Sequence, residues 1–209
     1  MSENLKKQAP ITVYSYRRCP FAMRVRFTLH EKGVPFSVVE EKLRDFSKEL
    51  RKMHPEAKVP VLVHGDLVLY ESAIITEYLD EIFPEPSFMP DRPDARAKVR
   101  LWTYWCNHIF KPEVDRYKYG PSRLSDDEVK EATRLLFEHL EKLENQLSKT
   151  PYLMGDAMSL ADIHVFPFVR QLSKVSPEHP AFAKSSAVLS WLNVIVARPS
   201  FGATMEKQG

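Results

Sequence analysis

The chain has 209 residues, 44% of them hydrophobic, enough to bury a core in one or two domains. Its 30 Lys and Arg against 28 Asp and Glu are interspersed, and the formal net charge of +2 leaves no basic block for nucleic acid. Two cysteines, Cys19 and Cys106, are too few for a disulfide framework, and no apolar run reaches membrane-spanning length. The first ten residues, Met1 to Pro10, are polar and lack the apolar stretch of a signal peptide. We therefore expect a cytoplasmic protein that binds neither nucleic acid nor membrane. The histidines follow no zinc-like spacing and no glycine-rich phosphate loop is present, so no metal is expected.

Ile11 to Ser15 reads as a buried strand. Pro20 to Lys32 reads as a helix with Phe21, Val25 and Leu29 on one stripe, stopped by Gly33. Phe36 to Val39 reads as a second strand, which makes a βαβ unit with parallel pairing and a right-handed crossover. Phe46 to Met53 is a short helix. Val61 to Val63 and Leu67 to Tyr70 are strands joined by Gly65-Asp66, a hairpin turn with glycine first. Ser72 to Phe83 is helical, completing the order βαβαββα. Pro84, Pro86, Pro90 and Pro93 then fall within ten residues, which no regular element tolerates. This predicts a linker over 84–93 between a domain at 1–83 and an all-helical domain at 94–209. Within the latter, Ala95 to Val114 is a long aromatic helix. Ser125-Asp126-Asp127-Glu128 is a capping box opening a helix with Leu136, Leu140, Leu143 and Leu147 at helical spacing. Ser159-Leu160-Ala161-Asp162 is a second box, and Ser186 to Ala197 closes the core.

Cys19 is the most informative residue. It follows a strand and two arginines, Arg17 and Arg18, and precedes Pro20, a residue favoured at the first helical position. Cys19 then falls at the N-cap, where unpaired N–H groups and the helix dipole favour an anion. A thiolate is such an anion and is the reactive form of cysteine. The helix terminus offers up to about 2 kcal/mol, or about 1.5 pK units, bringing an ordinary thiol from about 8.5 to about 7. Arg17 and Arg18 are expected to lower it further. The plainer alternative is a small buried cysteine at a helix start.

The order βαβαββα, the proline-rich linker and the helical second half resemble the cytosolic glutathione transferase superfamily over nearly the whole chain. Its markers here are Cys19-Pro20-Phe21-Ala22, Lys58-Val59-Pro60, Glu71-Ser72 and the box Ser159 to Asp162. The resemblance implies a thioredoxin-like N-terminal domain, an α/β fold, followed by an all-α domain. The N-terminal half looks most like the omega-type, cysteine-bearing members. Tyr70 to Glu81, followed by Phe88-Met89-Pro90, also resembles the stringent starvation protein A branch, which shares the fold but acts on RNA polymerase.

The resemblance implies glutathione as cosubstrate, with no metal. Cys19 would be catalytic. Phe21, Lys58, Val59, Pro60, Glu71 and Ser72 would bind glutathione: Val59 by its backbone, with a cis Pro60, and Glu71 and Ser72 at the γ-glutamyl end. Ser72 is expected to cap a helix from Ala73 and offer its N–H and hydroxyl to a carboxylate; an ordinary cap with an acidic neighbour reads equally well on spacing alone. Lys58 would meet the glycyl carboxylate, with Lys42 or Arg44 as alternatives. Ala22 stands where dithiol redox proteins carry a second cysteine, so an outside thiol must resolve a disulfide at Cys19.

Trp102, Trp105, Cys106 and Ile109 are expected to share a helix face. The resemblance places that face beside an electrophile pocket; an aromatic stripe reads also as plain core. The implied activity is thiol transfer, dehydroascorbate-type reduction or deglutathionylation of a small electrophilic or disulfide substrate, by a homodimer. The alternative is a non-enzymatic partner of RNA polymerase. That branch carries Pro-His-Pro after its third helix, where this chain has Pro84-Glu85-Pro86, and its type member lacks the catalytic cysteine.

Overall fold

The computed structural model describes residues 8–175, 182 and 184–207, so residues 1–7 of the polar start lie outside the described residues. These divide into two units: 8–88 together with 198–207, and Met89–Ala197. In the first unit, β1 (Ile11–Ser15) buries alternate residues, as a strand with one covered face does. It pairs in parallel with β2 (Ser37–Glu40) and antiparallel with β3 (Val61–His64), which pairs with β4 (Leu67–Tyr70). The sheet order is β2-β1-β3-β4. Helices α1 (Pro20–Glu31) and α3 (Ser72–Ile82) supply Val25, Leu29, Ile75 and Leu79 to a core shared with Ile11, Val13 and Leu62. Helix α2 (Lys48–Met53) follows its cap, Ser47, whose hydroxyl accepts the Leu50 N–H. Gly65 opens the β3–β4 turn at φ +59, a left-handed conformation in which a Cβ would also come within 3.3 Å of the Ala9 side chain. The glycine-first turn follows from that geometry.

The structure corrects the expected linker. The two units divide between Phe88 and Met89, and residues 83–88 are tied to the first unit. Lys32, whose side chain is fully buried, pairs with Asp80 at 2.8 Å. Its ammonium also donates to the carbonyls of Phe83 at 2.6 Å and Pro86 at 2.8 Å. The Phe88 N–H donates to Asp80 at 2.9 Å. A proline-rich run that cannot make its own ladder is thus held by a buried ion pair whose remaining valences it fills, as a buried charge requires.

A second correction concerns the end of the chain, expected to belong to the helical domain. Helix α9 (Pro199–Met205) packs on α1 instead. Arg198 grips Glu31 with two hydrogen bonds, at 2.6 and 2.7 Å, and Ser200 donates to the same carboxylate. Arg26 donates to the Thr204 carbonyl at 2.9 Å, satisfying a helix end that has no partner of its own.

The second unit holds α4 (Pro93–Trp105), a π-helical turn (Cys106–Phe110), α5 (Lys111–Tyr119), α6 (Asp126–Leu147), α7 (Leu160–Val175) and α8 (Ser186–Val196). A 3₁₀ turn, Gly120–Ser122, precedes the loop to α6. Both halves of the Ser125–Glu128 capping box are formed, and Leu136, Leu140, Leu143 and Leu147 are buried. Among the described residues, no helix is long and apolar enough to cross a membrane.

Candidate functional site

Cys19 is the N-cap of α1, with Pro20 opening the helix. Its N–H donates to the Tyr16 carbonyl at 2.9 Å, and its own carbonyl accepts the Met23 N–H at 2.9 Å. A tight turn therefore delivers the cysteine from the end of β1 to the start of α1. The sulfur lies 3.9 Å from the Val59 carbonyl, a long S–H···O contact across to the residue before Pro60. The Val59–Pro60 bond is cis, as the resemblance implied.

The electrostatics of this thiol differ from the sequence expectation. Burial pushes the Cys19 thiol above its ordinary value. The N–H groups of Ala22 and Phe21 and the charges of Arg26 and Arg24 pull the other way and do not overcome it. The basic residues that act on the sulfur are thus Arg24 and Arg26, within the first two turns of the helix. Arg17 and Arg18 are turned elsewhere: Arg17 donates to the Met205 carbonyl at 3.3 Å and Arg18 to the Tyr16 hydroxyl at 3.1 Å. The helix terminus was weighed in the sequence, but the desolvation of a thiol facing Val59 was not.

This shift has a direct readout. A raised thiol pKa means that the thiolate fraction, and with it the alkylation rate, keeps climbing as pH rises past the ordinary thiol value of about 8.5. Iodoacetamide labelling of Cys19 is expected to be slow at neutral pH and still rising in that alkaline range. Cys106, fully buried, is expected to stay unlabelled in the folded protein. A Cys19 rate that reaches its plateau below neutrality would contradict the burial argument.

Helix α3 brings the next pair. Glu71 is its N-cap, with φ 66 and ψ 110, a left-handed backbone rare for a residue with a side chain. Ser72 is the first helical residue rather than the cap expected of it, a shift of one position. Its buried hydroxyl accepts from Arg24 at 3.1 Å. The Arg24 guanidinium also lies over the Phe21 ring, 5.0 Å from its centre. Arg24 therefore links the Cys19 helix to the start of α3, and Cys19, Phe21, Val59 and Ser72 are joined through direct contacts.

Sequence reasoning missed Arg24 and Arg26, which are fully buried. The stripe Phe21, Val25, Leu29 made α1 look one-sided, whereas residues 22–29 are all buried. The available signal was the i, i+3 spacing of Arg24 from Phe21. The three candidate bases for a carboxylate are all exposed. Lys58 pairs with Glu56 at 2.8 Å, each side chain 62% exposed, an ion pair of little energetic weight. Arg44 sits at φ 75, and Lys42 bridges to Asp45 through its backbone.

The expected shared face of Trp102, Trp105, Cys106 and Ile109 does not form. Trp105 and Cys106 are core, whereas Ile109 is 43% exposed. The reason is the π-helical turn Cys106–Phe110, whose extra residue rotates the following positions. Phe110 takes the inward place and stacks on Trp105 at 5.1 Å. Trp102 instead lines a groove of about 440 Å³ with Lys98, Lys142 and Gln146 within the helical unit. Among the described residues, no group of three or more His, Cys, Asp or Glu is placed to hold a metal.

This arrangement offers a sulfur nucleophile, a backbone edge beside it, and a helix start bearing both an exposed carboxylate and a hydroxyl. It suits an extended peptide carrying charges at its ends. Comparisons with known proteins show the family. Residues 13–87 match the family model for the glutathione S-transferase N-terminal domain, and residues 108–199 that for the C-terminal domain. A stringent starvation protein A homolog from Haemophilus influenzae is 31% identical over 96% of this chain and 92% of its own. Glutathione S-transferase U28 from Arabidopsis thaliana is 30% identical over 96% of this chain and 90% of its own. The solved structure of a Tau class glutathione S-transferase from mango, Mangifera indica, superposes with a TM-score of 0.85 at 27% identity, covering 95% of this chain and 93% of that one.

Proposed function

This chain belongs to the glutathione S-transferase family, and from that premise we propose that it is a cysteine-type member catalysing glutathione-dependent thiol transfer. The observation that carries the reading is the Cys19 sulfur at the start of α1, 3.9 Å from the Val59 carbonyl. Glutathione lies along Val59 and Pro60, beside Phe21. Its γ-glutamyl end meets Glu71 and Ser72, and its glycyl carboxylate meets Lys58.

The Cys19 thiolate attacks the glutathionyl sulfur of a mixed disulfide. The substrate's S–S bond breaks, its thiolate leaves and takes a proton from water, and a Cys19–glutathione disulfide forms. Ala22 offers no resolving thiol, so a second glutathione thiolate attacks that disulfide. Glutathione disulfide departs and the Cys19 thiolate returns. Dehydroascorbate-type reduction and removal of glutathione from conjugates draw on the same nucleophile. The protein works as a cytoplasmic homodimer.

The test couples retention on immobilised glutathione with turnover of a glutathione mixed disulfide. Retention with turnover supports the reading; neither would defeat it. A second reading, docking to RNA polymerase, is favoured by the similarity to stringent starvation protein A homologs. Its surface would be Pro84-Glu85-Pro86, the segment held by Lys32. Capture of polymerase by a protein with no thiol transfer would favour it.

A further inference from the structure

The turn that delivers Cys19 has two arginines at its centre, and they are disposed differently. Arg17 is committed to its own unit. Its N–H donates to the Glu40 carboxylate at 2.8 Å and its guanidinium to the Met205 carbonyl at 3.3 Å. Arg18 is exposed. Its inner nitrogen, Nε, donates to the Tyr16 hydroxyl at 3.1 Å, and its guanidinium carbon stands 5.9 Å from the centre of that ring. Tyr16 is also the residue whose carbonyl accepts the Cys19 N–H. The guanidinium is therefore tethered to the same turn as the nucleophile. Its two terminal nitrogens, the pair whose fork matches a carboxylate, have no acceptor among the described residues. The positive charges that act on the sulfur, Arg24 and Arg26, are fully buried and committed to protein acceptors, so among these arginines Arg18 alone presents a guanidinium to solvent from that turn.

We propose that Arg18 is a specificity residue that holds a carboxylate on the departing half of the mixed disulfide. The substrate class is then an S-glutathionylated peptide or small thiol carrying an acid close to the modified cysteine. This rests on the thiol-transfer reading and follows its bond changes unchanged. The S–S bond of the substrate breaks, the departing thiolate is the half that Arg18 orients, and glutathione remains on Cys19. A tethered fork loses less side-chain freedom on binding than a free one, and it selects among substrates by charge without taking part in the sulfur exchange.

Two short S-glutathionylated peptides test this, alike except that one has Asp and Glu beside its cysteine and the other Asn and Gln. The wild type is expected to favour the acidic peptide about tenfold in kcat/KM, the size a partly exposed charge-assisted hydrogen bond confers. The preference should shrink as salt is added. Arg18→Gln should erase it by slowing the acidic peptide alone, with the KM for glutathione unmoved. Arg18→Lys, which keeps the charge but loses the fork, should retain part of it. A preference that survives in Arg18→Gln, or an equal loss on both peptides, overturns the assignment while leaving thiol transfer in place. A wild type that transfers glutathione from neither peptide overturns both.

Discussion

Cys19→Ser is expected to lower glutathione-dependent thiol transfer at least about a thousandfold, within the range that loss of a nucleophile costs other enzymes. A serine hydroxyl cannot form the disulfide through which glutathione passes. No other thiol is placed to take over: position 22 is alanine, and Cys106 is fully buried. The same change is expected to leave glutathione binding within a few-fold of the wild type. The Val59 backbone, the Glu71 carboxylate and the Ser72 hydroxyl are untouched by it, and Ser72 is fixed by Arg24 rather than by the sulfur. Serine is moreover a good N-cap, so α1 should begin where it does now. Steady-state turnover of a mixed disulfide, measured beside retention on immobilised glutathione, separates the two effects. A Cys19→Ser protein that still turns over would show that the nucleophile lies elsewhere.

Asp162→Ala is expected to destabilise the helical unit by about 3–5 kcal/mol, the cost of leaving several buried donors without an acceptor. Asp162 is fully buried in the first turn of α7. One carboxylate oxygen accepts the Leu153 N–H and the Trp191 indole N–H, each at 2.9 Å. The other accepts the N–H and hydroxyl of Ser159, each at 2.9 Å. The carboxylate thus ties the loop before α7, the start of that helix and α8 into one buried knot. Alanine would leave three buried N–H donors without an acceptor, each costing about 1–3 kcal/mol, with losses that do not simply add. In a chain of this size the melting temperature should fall by roughly 6–20 °C. Ser159→Ala removes only the hydroxyl and should cost about 0.5–2 kcal/mol. Thermal melts of both variants check the order. An Asp162→Ala protein that melts within about 2 °C of the wild type would contradict it.

How much of this was legible depends on whether a residue's partners are near it in sequence. The strands were legible because their apolar runs are bounded by Gly33 and Gly65, and both glycines take positive φ. The Ser125–Glu128 box was legible because both of its hydrogen bonds span three residues. Ser159 and Asp162 were paired correctly for the same reason, but Leu153 and Trp191 were not in view. Arg24 and Arg26 were not singled out, because their acceptors include Ser72 and the Thr204 carbonyl, far along the chain. The tail 198–207 was assigned to the wrong unit for want of a local signal that Arg198 meets Glu31. The π-helical turn at Cys106 defeated a face drawn at 3.6 residues per turn.

The candidate site divides along the same line. Cys19 at a helix start was read from the local run of a strand, Arg17-Arg18, Cys19 and Pro20. The state of its thiol was not, since its surroundings include Val59, 40 residues away in the chain. A thiol that burial holds toward its neutral form is less reactive at neutral pH and less open to adventitious oxidation.

The measurement that bears most directly on the catalytic role of Cys19 is peptide mapping by mass spectrometry after the protein meets a glutathione mixed disulfide. Acid quenching within the first turnovers is expected to trap one glutathione on Cys19 and none on Cys106. Added glutathione should discharge that adduct at the rate of steady-state turnover. Turnover that proceeds with Cys19 unmodified, or an adduct that glutathione does not discharge, would contradict a mechanism through this cysteine.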